Sequence, residues 1–206
     1  VTIPATILPL LFAAYAAFGF TFLSFRGREF FFSVIIGLLV VPLQGALVPV
    51  LKMFISITDK TGIEISGQYA AAWFVHSAFA MPLAIYILRN YMMTIPNTLI
   101  EAARMDGCSE FAIYWRIVLP LLKPALGTLG LVTFIGSWNN FIGPLIVMRT
   151  ADNYTLPLAL RSLQSPVNTE WGALMTGSAI ATIPLMILFA ISSRQLIAGL
   201  TAGAVK

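Results

Sequence analysis

The sequence predicts an all-α fold, a polytopic bundle of membrane-spanning helices, and three observations carry that prediction. Hydrophobic residues make up 59% of the 206 and charged residues only 10%, which leaves too little polar surface to cover a soluble domain of this size. Mean hydropathy is correspondingly high, at +0.90. The charges also fall between five long runs that contain none, each long enough to approach or exceed the ~20 residues a helix needs to cross the hydrocarbon. No stretch alternates apolar and polar residues as a barrel strand would.

Taken in order, the spans cover about 2–25, 30–51, 68–88, 124–148 and 171–193, within one transmembrane domain of residues 1–206. The first has no basic residue before it and is too long for the apolar stretch of a signal peptide, so it reads as a true span. In the second, Gln44 lies between Pro42 and Pro49, and the third carries His76. The fourth contains "GSWNNFIGPL", with Trp138, Asn139 and Asn140 bracketed by Gly136, Gly143 and Pro144. The prolines mark bends that a moving bundle can use.

If the loops alternate sides, Arg26, Arg28, Arg89, Arg104, Arg116, Lys123, Arg194 and Lys206 share one side, and Lys52, Lys60, Arg149 and Arg161 the other. The richer side is cytoplasmic by the positive-inside rule, which places the C-terminus inside and Val1 outside. An additional upstream span then completes the topology, giving six in the intact chain.

The cytoplasmic segment 94–122 shows helix signals rather than loop signals. Pro96 suits a first helical turn, where its missing N–H is not needed. Asp106 and Gly107 end that helix, with Gly107 free to take the left-handed conformation of a C-terminus. Ser109 caps a second helix, roughly 110–118, aromatic at Phe111, Tyr114 and Trp115 and stopping at Leu119-Pro120. Isolated helices under about 12 residues are marginal, so each needs a partner surface. The alternative is a juxtamembrane amphipathic loop in which Glu101 and Arg104 form an exposed pair worth about 0.2–0.5 kcal/mol.

Within this segment, "EAARMDGCSEFAIYWRIVLP" closely resembles the EAA loop of ABC importer permeases: Glu-Ala-Ala, three residues, Gly, nine residues, Ile-x-Leu-Pro. Glu101, Ala102, Ala103, Gly107, Ile117, Leu119 and Pro120 fill every defined place. "FRGREFFF", "LRNYMMTIPNTLIEAARMDG", "SWNNFIGPL" and "GLTAGAVK" extend the resemblance to the carbohydrate-importer family, in its smaller, maltose-permease-like member.

That resemblance implies a type I ABC importer permease in the plasma membrane of a bacterium or archaeon. It is a non-catalytic subunit that moves a sugar or related polar solute to the cytoplasm. Its implied partners are a second permease, different from this chain, two ATP-binding-cassette ATPases that hold the ATP and Mg, and an extracytoplasmic solute-binding protein. Glu101, Ala102, Ala103, Arg104, Asp106, Gly107, Ile117, Leu119 and Pro120 then form the coupling segment. In it Glu101 meets a basic residue of the ATPase, the two alanines keep one face thin, and Gly107 sets the angle between helices. In that family the closing tail, here ending at Lys206, reaches between the ATPases.

Polar groups at membrane depth are candidates for the solute pathway. Asn139 and Asn140 can bond a hydroxylated solute or a neighbouring helix, and Trp138 can stack on a sugar face. His76 and Gln44 are either pathway-lining or packed and hydrogen-bonded. Trp73 and Trp171 suit an aromatic belt, and Ala13 and Ala17 suit close helix packing.

Other functions fit less well. An ion-coupled secondary transporter calls for intramembrane acids, and the five runs have none. An intramembrane enzyme calls for acid or Ser partners to a His, and His76 has no acid at its depth. The chain carries no Gly-rich Lys-Ser/Thr loop to cradle ATP and a single cysteine, Cys108, too few for a disulfide or metal cluster. The dispersed basic residues form no stripe for nucleic acid.

Overall fold

A computed structural model describes residues 1–148, 151–165 and 169–202. These form helices joined by short turns, with no strand among the described residues. The long helices are α1 (Thr2–Phe22), α3 (Leu43–Thr61), α4 (Tyr69–Met92), α8 (Lys123–Trp138) and α11 (Trp171–Ala202). Shorter ones are α2 (Arg28–Leu38), α5 (Asn97–Met105), α6 (Glu110–Ile113), α7 (Leu119–Leu121), α9 (Ile142–Val147) and α10 (Leu156–Ser162). By length and composition α1, α4 and residues 171–192 of α11 are long and apolar enough to cross a membrane.

Packing centres on α1 and α4, with α8 against both and α11 laid on α8 and α10. Small side chains make this approach possible: Ala5, Ala13, Ala14 and Ala17 of α1 and Ala84 of α4 are all buried. The larger of two apolar cores continues from there to Leu88 and Met92 and on to Ile100, Ile113, Tyr114 and Val118. A smaller core joins Leu47 and Phe54 of α3 to Ala71, Ala72 and Val75 of α4 and Val147 of α9.

Two of the predicted spans are interrupted. The run 30–51 is two helices separated at 39–42, because the residue before a proline is pushed out of the helical region and Pro42 itself is extended, with ψ 122°. At 11 residues, α2 is about 16 Å long and cannot cross the roughly 30 Å core alone. The run 124–148 is broken at 139–141, where α8 ends on Asn139 and the Asn140 Oδ1 accepts the Gly143 N–H at 3.0 Å. The closing tail 203–206 and Arg149 lie outside the described residues.

Candidate functional site

The segment between α4 and α8 is built around two local devices. Pro96 is the N-cap of α5, one place earlier than a first helical turn. At the other end of α5 the Gly107 N–H bonds the Arg104 carbonyl and the Cys108 N–H bonds the Ala103 carbonyl, both at 3.0 Å. This is a Schellman closure, and it requires the φ of +77° that Gly107 adopts. Ser109 then caps α6, its Oγ accepting the Ala112 N–H.

The second helix does not stop at Leu119-Pro120 but runs on to Leu121. A π-turn over Tyr114–Val118, in which the Leu119 N–H reaches back to the Tyr114 carbonyl, widens the helix just before Pro120. The proline, which has no N–H and whose ring would clash with a carbonyl four residues back, is accommodated there. Residues 110–121 then meet α8 at 71°. Tyr114 is buried and stacks on Tyr15 of α1 at 4.2 Å, so this helix is docked on the bundle along one face while Phe111 stays exposed on another.

The two motif alanines face opposite ways. Ile100 and Ala103 turn into the core, 2% and 6% exposed, and burying an isoleucine contributes about 1.5–3 kcal/mol. Glu101, Ala102, Arg104 and Asp106 are on the exposed side, next to Met105 at 88%. Ile117 and Leu119 are half-buried and Pro120 is exposed. Glu101 takes part in no hydrogen bond or ion pair among the described residues.

Arg104 does not pair with Glu101. Its Nε and Nη2 donate to the Glu110 carboxylate at 2.7 and 3.2 Å, and Nη2 also donates to the Phe22 carbonyl at 2.9 Å. The bond to Glu110 pushes its pKa still higher. Arg89 of α4 donates to the Phe20 carbonyl at 3.3 Å, and Arg28 of α2 to that of Leu23 at 3.4 Å. The Phe20 and Phe22 carbonyls in the last turn of α1 and that of its C-cap, Leu23, are thus bound by three guanidinium groups from three segments, which complement the negative end of the helix dipole. Arg89 is further held by Glu29 at 3.3 Å and lies 3.9 Å over the Phe32 ring. Sequence reasoning missed Arg28, Arg89 and Glu110 as members of this cluster. Only their placement on one side of the membrane hinted at it.

The pathway candidates divide. His76 and Asn140 line one cavity of about 240 Å³, walled otherwise by Val75, Phe79, Leu129 and Thr133. Trp138 is committed to the bundle: its Nε1–H donates to the Ala181 carbonyl at 3.1 Å and its ring stacks on Phe134 at 5.8 Å. Asn139 and Gln44 are exposed and take no part in that cavity.

An apolar helical bundle with a docked, charged segment at one end and a largely apolar cavity bordered by His76 and Asn140 within it has the architecture of a membrane transport subunit. The model of the family described as "Binding-protein-dependent transport system inner membrane component" matches residues 9–201. The chain belongs to this family and is a multi-pass, non-catalytic permease subunit of an ATP-binding-cassette importer, working with an ATPase and a binding protein. It is 34% identical over its full length to the arabinooligosaccharides transport system permease protein AraQ of Halalkalibacterium halodurans, covering 71% of that protein. It is 38% identical to the alpha-glucoside transport system permease protein AglG of Rhizobium meliloti, covering all of this chain and 54% of that one. The diacetylchitobiose uptake system permease protein DasC of Streptomyces coelicolor is 32% identical, covering all of this chain and 72% of that protein.

Proposed function

We propose that the chain carries a sugar, an oligosaccharide or a related polyhydroxylated solute from a binding protein toward the cytoplasm. The reading joins the solutes after which those three relatives are named, all sugars or sugar derivatives, to the cavity beside His76 and Asn140. It pairs with a different permease to enclose the pathway, and two ATPases drive it from the side where the C-terminus lies.

Coupling runs through α5. The observation that carries this is the division of its faces: Ile100 and Ala103 lock the helix to the bundle, while Glu101, Ala102 and Met105 are presented outward, Glu101 with no hydrogen bond or ion pair among the described residues. A face of that kind receives a push and passes it inward. Glu101 supplies the charge that a basic residue of the ATPase cleft pairs with.

The test is to express the full importer and compare the parent with Glu101→Lys. The parent should copurify with its ATPase, and a sugar-loaded binding protein should stimulate ATP hydrolysis. The variant should keep the permease pair assembled but lose that stimulation. Undiminished stimulation in the variant would sink the coupling role of Glu101.

A further inference from the structure

At the end of the bundle opposite the arginine cluster, a second cavity of about 280 Å³ opens between the start of α1 at Val1 and Thr2, the end of α8, the start of α4 and the start of α10. Tyr69, Ser137, Trp138, Tyr154, Thr155 and Pro157 line it. Its volume is close to the roughly 300 Å³ at which small-molecule sites begin, enough for one ring rather than a chain of them.

Two of its hydroxyls are unusual. The Ser137 Oγ and the Thr155 Oγ1 are buried and have no hydrogen-bond partner among the described residues, and Ser137 as a whole is only 7% exposed. Elsewhere in the helices Thr6, Thr21, Thr58, Ser178 and Thr182 each donate to the carbonyl four residues back. Ser137, in the last turn of α8, does not. A buried hydroxyl left without a partner costs free energy, so both are groups whose needs a ligand can meet. Three aromatic rings share the same wall. Tyr69 is held by a 3.4 Å bond to the Asp152 carbonyl, and Trp138 by the Ala181 bond, while the Tyr154 hydroxyl makes no hydrogen bond among the described residues.

The geometry points to a subsite for a single sugar ring, resting on the permease reading above: hydroxyls to bond its hydroxyl groups, and aromatic faces to cover its C–H faces. Ser137 also lines the His76–Asn140 cavity, so it stands on the wall between the two. The outer cavity holds the ring first and Ser137 hands it to the inner one.

The experiment uses the assembled importer in lipid nanodiscs and a diazirine-bearing glucose disaccharide as probe, with labelled peptides mapped by mass spectrometry. Label should appear on the peptides holding Tyr69, Trp138 and Tyr154 and should be competed by the plain disaccharide. Ser137→Ala and Thr155→Val should each cut it about fivefold, the weight of one net hydrogen bond. Because neither hydroxyl bonds the protein, a drop in labelling with assembly and melting temperature unchanged reports contact with the ligand, not a loss of fold. Label confined to the inner cavity or to the partner permease, or label unmoved by both variants, would overturn the subsite. Uptake of the unmodified sugar panel into vesicles with the binding protein is a separate arm. Uptake without outer labelling removes the subsite alone, whereas no uptake of any sugar or polyol removes the reading it rests on.

Discussion

The two ends of α1 are built on opposite plans. Around its C-terminus charged and carbonyl groups are paired: Arg89 and Arg104 bind the Phe20 and Phe22 carbonyls and Arg28 that of the C-cap Leu23, Glu29 and Glu110 pair with Arg89 and Arg104, and Leu88, Met92, Ile100, Ile113 and Val118 fill the core beside them. Toward its N-terminus lie the buried side-chain polar groups that lack a partner among the described residues. Ser66, Trp73 and Ser77 are before or within the first three turns of α4, Ser137 is in the last turn of α8, and Thr155 is next to α10. A satisfied, close-packed end moves as one body. An end with spare hydrogen-bonding capacity has room for something polar to pass. The contrast is what an importer needs if force enters at one end and solute at the other.

The sharpest way to break the contrast is at Gly107. A Cβ there meets no atom within 4 Å, so the only obstacle to a side chain is the φ of +77°, which costs a β-branched residue about 1–2 kcal/mol. Gly107→Val should open the Schellman closure, turn α5 away from α6 and abolish transport-coupled ATP hydrolysis. Gly62 offers an internal control, since it closes α3 at φ +71° with equally open surroundings. Gly62→Val should carry a similar strain and keep most of the transport rate. Equal losses at both sites would mean that backbone strain, not the coupling hinge, is being read.

A smaller effect is expected at Arg104. Both partners in the Arg104–Glu110 pair are about 40% exposed, and exposed pairs contribute about 0–1 kcal/mol, so Arg104→Ala should barely move the melting temperature. It should nevertheless lower the number of solute molecules moved per ATP several-fold, because α5 loses its tie to the end of α1. The reversed pair, Arg104→Glu with Glu110→Arg, restores opposite charges but sets a carboxylate against the Phe22 carbonyl. It should fail to rescue coupling. Full rescue would show that the ion pair matters and the anchor to α1 does not.

What could be read from the sequence was local. Gly107 and Ser109 marked the turn between the two coupling helices because capping depends on residue type within three or four positions. The bundle itself was legible from charge-free length alone. Features that depend on chain segments far apart were not: Arg104 finds Phe22 at a separation of 82 residues, and Glu110 lies six residues from it across a turn, outside the helical i, i+3 spacing that made Glu101 the natural guess. The same limit hid the opposed directions of Ala102 and Ala103, and the π-turn that carries the second helix past Pro120. Pro42 was read as a kink, yet an extended proline after Val41 ends a helix outright.

The smallest expected effect tests how far the open end is merely loose. Trp138 has two roles that separate cleanly by substitution, because its ring stacks on Phe134 while its Nε1–H binds the Ala181 carbonyl of α11. Trp138→Phe keeps an aromatic face and removes the hydrogen bond, which in a membrane bundle is worth roughly 0.6 kcal/mol. The melting temperature of the importer should fall slightly and the uptake rate should hold. Trp138→Leu removes the face as well and should raise the solute concentration needed for half-maximal uptake. If the two variants behave alike, α11 is held to α8 by that single bond and the ring does nothing for the solute. If only the leucine variant is impaired, the open end recognises its cargo through aromatic surface while the clamped end does the work of coupling.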